Sequence, residues 1–133
     1  MAARRVVVTG LGLLSPLGTS VSQSWTRLIA GQSGTTSLLT HPLTSPLKDQ
    51  YSVLPSTVAG IVPDESWLEV LSRDDQRKMA RFSQFAVAAS EEALKDAGVK
   101  PSELSVDERE RIVFFHPLFG YLLMSREYVV DLE

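Results

Sequence analysis

The first residues that invite a chemical reading are Gly10 and Gly12, which follow Val6-Val7-Val8 directly. A strand running into G-x-G suggests a dinucleotide fingerprint, G-x-G-x-x-G/A, in which the turn opens a helix whose N-terminus takes the pyrophosphate. Here the third glycine position is Ser15, Pro16 follows it, and the first capping signal for a helix is Ser20. The context of the fingerprint is missing. The sequence has no G-x-x-x-x-G-K-[ST] loop and no G-x-S-x-G elbow. Ser15 and Ser33 lie near glycines, but no histidine is placed to act as their base. With 0 cysteines there is no thiolate for catalysis or metal binding and no disulfide. His41 and His116 each precede a proline. They read as loop histidines, because a catalytic metal site needs about three protein ligands. No catalytic residue, metal ligand or cofactor site is assigned.

The second candidate is a basic cluster, Arg73, Arg77 and Lys78, with Arg81, at the start of a helix on which Arg73, Arg77 and Arg81, four apart, share a face. In a chain of net charge −3, such a patch can receive an acidic partner and steer its approach. It can equally be a solvated helix face balanced by Asp74, Asp75, Glu91 and Glu92. The residues alone favour the solvated face.

The elements that would carry these residues are punctuated clearly. Arg4 to Thr9 reads as a buried strand, since consecutive valines suit a covered, pleated surface; Gly10 and Gly12 are expected to end it. Ser20 and Gln23 form an S-x-x-Q capping box for a helix. Its apolar face holds Val21, Trp25, Leu28 and Ile29, and Gly31 stands where a left-handed C-cap belongs. Residues 32–63 read as loop, with a short edge strand possible within Val53 to Val62. A second helix is expected from Asp74 to Gly98, with Met79, Phe82, Ala86, Ala89, Ala93 and Ala97 at helical spacing. Its alanine stripe allows close approach to a sheet or helix. Arg111-Ile112-Val113 looks like a further strand, and the following residues show no clean period. Strand, helix, helix, strand is an α/β order.

The bulk properties exclude more than they assign. The size fits one domain or part of one. A net charge of −3 makes no case for nucleic acid. Met1-Ala2-Ala3-Arg4-Arg5 runs straight into the valines, which is not a signal peptide. Ile112 to Met124, the longest apolar stretch, is broken by His116, Pro117 and Gly120 and falls short of the roughly 20 residues a spanning helix needs.

Three blocks together resemble the β-ketoacyl-[acyl-carrier-protein] synthases of the elongating, type II kind. Arg4 to Gly18 resembles their opening strand and turn. Trp25, Leu28 and Gly31-Gln32-Ser33-Gly34 resemble their first helix and its exit. Ser72 to Met79, continuing to Ala93 to Gly98, resembles their second helix. The resemblance implies the N-terminal part of a thiolase-like layered α/β sandwich, incomplete here, with residues 1–113 as a partial synthase region and 114–133 as a divergent tail. It implies decarboxylative condensation of an acyl-enzyme with malonyl-carrier protein, in a homodimer, without a cofactor. The family uses a cysteine and two histidines that lie downstream of the matched region, and His41 and His116 match neither histidine. At Phe114-Phe115-His116-Pro117 bulky residues stand where the family has a small, glycine-rich turn.

The resemblance also turns the basic cluster toward carrier-protein docking, with Arg73, Arg77 and Lys78 at matching positions. A non-catalytic partner of the same fold is the alternative, and a nucleotide-binding α/β domain a more distant one. The opening strand is expected to expose an edge, which with the apolar tail would favour aggregation. By resemblance the compartment is the cytoplasm in bacteria or the mitochondrion in eukaryotes.

Overall fold

The computed structural model describes residues 7–110, 112–115 and 120–125. In chain order the elements are β1 (Val7–Leu13), α1 (Val21–Ile29), β2 (Thr35–Ser37), α2 (Lys48–Tyr51), β3 (Val58–Gly60), α3 (Arg73–Lys78), α4 (Arg81–Asp96), α5 (Val106–Glu110), β4 (Ile112–Phe115) and β5 (Gly120–Ser125). They divide into two compact units. One is Leu14–Trp67; the other joins the chain up to Leu13 to the chain from Leu68 onward. The strand expected from Arg4 begins outside the described residues, as does His116.

In the second unit β1, β5 and β4 form an antiparallel sheet in that order, with a register shift between Val8 and Gly10. Gly10 and Gly12 lie inside β1 and do not end it. Their role is space. A Cβ on Gly10 would stand 2.1 Å from the carbonyl oxygen of Ala93, and one on Gly12 would stand 1.8 Å from that of Ala89. Helix α4 therefore rests its backbone on the strand, as its small-residue stripe predicts. The buried positions of α4 are Gln84, Ala88, Ala89 and Ala93. Phe82, expected on the apolar face, is 76% exposed. The face against β1 runs through Ala89 and Ala93, whose small side chains admit the strand backbone, while Gln84 is buried where it bonds the Gln76 and Met79 carbonyls.

The same approach satisfies one edge of β1. The N–H of Leu11 donates to Asp96 Oδ2 at 2.9 Å and that of Leu13 to Glu92 Oε2 at 2.8 Å. The other edge pairs with β5. The expected open edge is thus filled on both sides, by a tail strand and by helix carboxylates. An edge N–H that already has an acceptor is a poorer template for another chain. At the far end of α4, Gly98 adopts φ +67. Its N–H reaches Lys95 O and that of Val99 reaches Leu94 O, the bonding of a Schellman cap.

In the Leu14–Trp67 unit, Ser20 caps α1 by accepting from the N–H of Gln23 at 3.2 Å. The other half of the capping box is redirected: Gln23 Oε1 accepts from the N–H and hydroxyl of Thr19. Gly31 closes the helix at φ +66, as its position predicts. Helix α1 buries Ser24, whose hydroxyl meets that of Ser15 at 2.8 Å. Trp25, Leu28 and Ile29 stay 61%, 55% and 68% exposed, so the face marked by apolar periodicity is not the buried one. The expected edge strand is β3, paired antiparallel with β2, which the loop reading passed over.

Asp64 ends this unit in a local hydrogen-bonded turn. Its carboxylate accepts from the hydroxyl and N–H of Ser66. The hydroxyl bond is the main cause that holds the Asp64 pKa below the ordinary 3.8, helped by the N–H bond and the Arg27 charge and opposed by burial. A depressed folded pKa gives stability that is fully present above 3.8 and lost as pH falls through the lower folded value. Ser66→Ala is expected to raise the Asp64 pKa toward 3.8, read by carboxyl NMR titration; an unmoved titration would contradict this cause.

Candidate docking surface

Helix α3 carries the predicted residues. Ser72 is its N-cap, accepting from the N–H of Asp75 at 3.1 Å while its hydroxyl donates to Asp75 Oδ2 at 2.6 Å. This places Asp74 and Asp75 in the first turn and Arg77 and Lys78 in the last, the arrangement that a helix dipole favours at both ends. Ser72→Ala removes a cap of about 1 kcal/mol. Amide exchange of Asp75 and Gln76 is then expected to quicken about five-fold; unchanged exchange would mean the cap contributes nothing.

Arg73, Arg77 and Lys78 all lie exposed on α3. Arg73 and Arg77, four apart, share a face. Lys78 Nζ stands 3.5 Å from Asp74 Oδ2, both side chains largely in solvent at 73% and 74% exposure. Such a pair is weak and exchanges readily for another carboxylate.

Arg81 does not join them. The single helix expected from Asp74 to Gly98 is two, because Met79 (φ −94, ψ 139) and Ala80 (φ −65, ψ 151) are extended. Arg81 starts α4, and its guanidinium lies 5.6 Å from the Phe85 ring centroid. The balancing acids are also spoken for in part, since Glu92 serves β1. A face shared by Arg73, Arg77 and Arg81 is therefore replaced by a compact group on one short helix.

What the sequence reading missed is the pair of glutamines around the break. Gln84, 6% exposed, donates from Nε2 to the carbonyls of Gln76 at 2.8 Å and Met79 at 2.9 Å. Gln76 donates from its own Nε2 to the carbonyls of Leu68 and Leu71, both at 3.1 Å. The available signal was Gln84 itself, a polar residue four before the buried Ala88.

Comparison with known proteins finds similarity over most of the chain. A family model described as the β-ketoacyl synthase N-terminal domain matches residues 3–116. The chain is 40% identical over 103 residues to a 3-oxoacyl-[acyl-carrier-protein] synthase 2 of Vibrio harveyi, covering 77% of this chain and 23% of that protein. It is 38% identical over 123 residues to a mitochondrial 3-oxoacyl-[acyl-carrier-protein] synthase of Arabidopsis thaliana, covering 81% and 25%. Among solved structures, a β-ketoacyl synthase from Burkholderia phymatum STM815 is similar at TM-score 0.60 and 32% identity, covering 80% of this chain and 24% of that one. The ishigamide ketosynthase/chain length factor is similar at 0.57 and 32%, covering 78% and 24%. The chain thus spans about a quarter of the length of the curated relatives it matches (23% and 25% of those two). The fold matched is that of the thiolase-like ketosynthases. Among the described residues no helix is long and apolar enough to cross a membrane.

Proposed function

The chain belongs to the β-ketoacyl synthase family, and from that premise we propose that it presents α3 to an acyl carrier protein as the N-terminal region of a fatty-acid-elongating synthase. The observation that carries this reading is the exposed Arg73, Arg77 and Lys78 group on one short helix. Relatives named for a carrier-protein substrate support it. The partner is acidic and approaches the cations through charge complementarity. The intact enzyme joins an acyl group to malonyl-carrier protein with loss of carbon dioxide and works as a homodimer. It needs no cofactor, since decarboxylation itself supplies the carbanion.

The sequence has 0 cysteines, so the acyl-holding thiolate of that reaction is not provided by these residues. The similarity to the ishigamide ketosynthase/chain length factor supports a second reading, a non-catalytic carrier-binding partner of the same fold. Both readings share α3 as the docking element. The compartment follows the relatives, cytoplasm in a bacterium or mitochondrion in a eukaryote.

Calorimetric titration of holo acyl carrier protein into the full chain tests the docking reading. Binding that weakens steeply with added salt is expected; no binding at low salt would refute it. Autoradiography after incubation with labelled acyl-carrier protein separates the two readings. Covalent acyl transfer to the intact protein would point to catalysis, and its absence together with binding to the partner role.

A further inference from the structure

We propose that Gln76 and Gln84 form a two-step latch that sets the pose of α3, and so of its cations, for carrier-protein docking; the inference rests on the docking reading above. Helix α3 is six residues long and buries none of its own side chains. A helix that short does not hold itself. It is not a continuation of α4 either, because Met79 and Ala80 are extended between them. Ala80, the residue before α4, has no side chain able to cap.

What ties α3 down is two side-chain amides. Gln84 reaches from the buried face of α4 to the Gln76 and Met79 carbonyls, at the end of α3 where the helix leaves carbonyls unpaired. Gln76 reaches from α3 back to the Leu68 and Leu71 carbonyls. Every acceptor in this relay is a backbone carbonyl, so each amide must present its NH₂ and not its oxygen. Each NH₂ spends both hydrogens, and no smaller or acceptor-only side chain can do the same. Gln84 is 6% exposed. Losing it strands two carbonyls that lie beside Arg77 and Lys78 in the chain. Gln76 and Gln84 are positioning residues; the cations make the contact.

The test uses the full chain and holo acyl carrier protein. Gln84→Met keeps the volume and removes the donor. It is expected to preserve the far-ultraviolet circular dichroism and accelerate amide exchange at Arg77 to Ala80. A binding-competent pose populated one time in five then lowers carrier affinity about five-fold. Gln84→Glu adds a readout that mere structural damage would not produce. Its carboxylate cannot donate to the two carbonyls, but its protonated form can donate one bond. Carrier affinity should recover as pH falls for Gln84→Glu and not for Gln84→Met. If Gln84→Met unfolds the chain, Gln76→Met breaks the first step alone and carries the same expectation. Parent-like exchange and affinity in a folded Gln84→Met or Gln76→Met chain would overturn the latch. If those variants leave affinity unchanged while Arg77→Glu/Lys78→Glu weakens it, the latch fails and docking stands. If the charge-reversed chain also binds as the parent does, docking itself fails, and this inference with it.

Discussion

Gly12→Ala is expected to destabilise the unit built on β1 by on the order of 4 kcal/mol, at least about twice the effect of Gly31→Ala. The added Cβ would lie 1.8 Å from the Ala89 oxygen and 2.8 Å from the Ala93 nitrogen. Both are backbone atoms of a helix, so no rotamer change relieves the clash; α4 as a whole must lift. Overpacking a core typically costs about 1–3 kcal/mol when side chains can adjust. Here they cannot, and lifting α4 also pulls Glu92 and Asp96 away from the Leu13 and Leu11 N–H groups. The combined loss is on the order of 4 kcal/mol, a large share of a stability that is typically about 5–15 kcal/mol. Gly31→Ala is the control. Nothing lies within 4 Å of its Cβ position, so only the φ of +66 is penalised, at about 1–2 kcal/mol. Urea titration should therefore show a small midpoint shift for Gly31→Ala and a shift at least about twice as large for Gly12→Ala. Equal shifts would mean that α4 does not rest on β1 as described.

This contact explains why one sequence signal pointed in two directions. Gly10-x-Gly12 after a strand is what a phosphate loop and a close-packed strand have in common, since both need backbone without Cβ. The alanines of α4 decide between them, because Ala89 and Ala93 occupy the space above the glycines. Local chemistry was legible wherever a residue's own conformation set the outcome. Gly31 and Gly98 adopt the positive φ that their place after a helix implies, and Ser20 caps where a serine before an apolar periodic segment should.

The rest depended on contacts that periodicity does not encode. Met79 and Ala80 are ordinary helix formers, alanine the best of them, so nothing local announces the break. It is maintained from Gln84, five and four residues downstream of them. Carrying the helix through 79 and 80 put Arg81 on the same face as Arg77, which is why the candidate group was drawn too large. Apolar spacing found the Trp25, Leu28 and Ile29 stripe but could not say whether it would be covered; Ser24 is buried in its place. Phe114 and Phe115 lacked a period and still entered β4, through pairing with Leu123 and Leu122 of β5. The family assignment came from none of these. It rests on three blocks in order, which the family match over residues 3–116 spans.

Reversing two charges on α3 is the second large expected effect. Arg77→Glu/Lys78→Glu changes the local charge by four units without touching a buried residue, since α3 buries none. Stability should fall by about 1 kcal/mol, because both cations stand in the last turn, where the helix dipole favours them, and Lys78 pairs with Asp74. The consequence falls on an acidic partner, because like charges brought together across an interface cost several kcal/mol. Carrier affinity at low ionic strength is expected to fall by at least about thirty-fold, a loss of roughly 2 kcal/mol. Salt decides whether the loss is electrostatic. The screening length shrinks from about 10 Å at 0.1 M to about 3 Å at 1 M, so the parent should lose affinity with salt while the reversed chain, already repelled, should lose little or gain. The two curves are expected to converge near 1 M. Asp74→Asn should move the other way, because it frees Lys78 from its 3.5 Å partner and leaves α3 more positive. Parallel salt curves, or a weakened Asp74→Asn chain, would show that α3 is a solvated face and the carrier docks elsewhere.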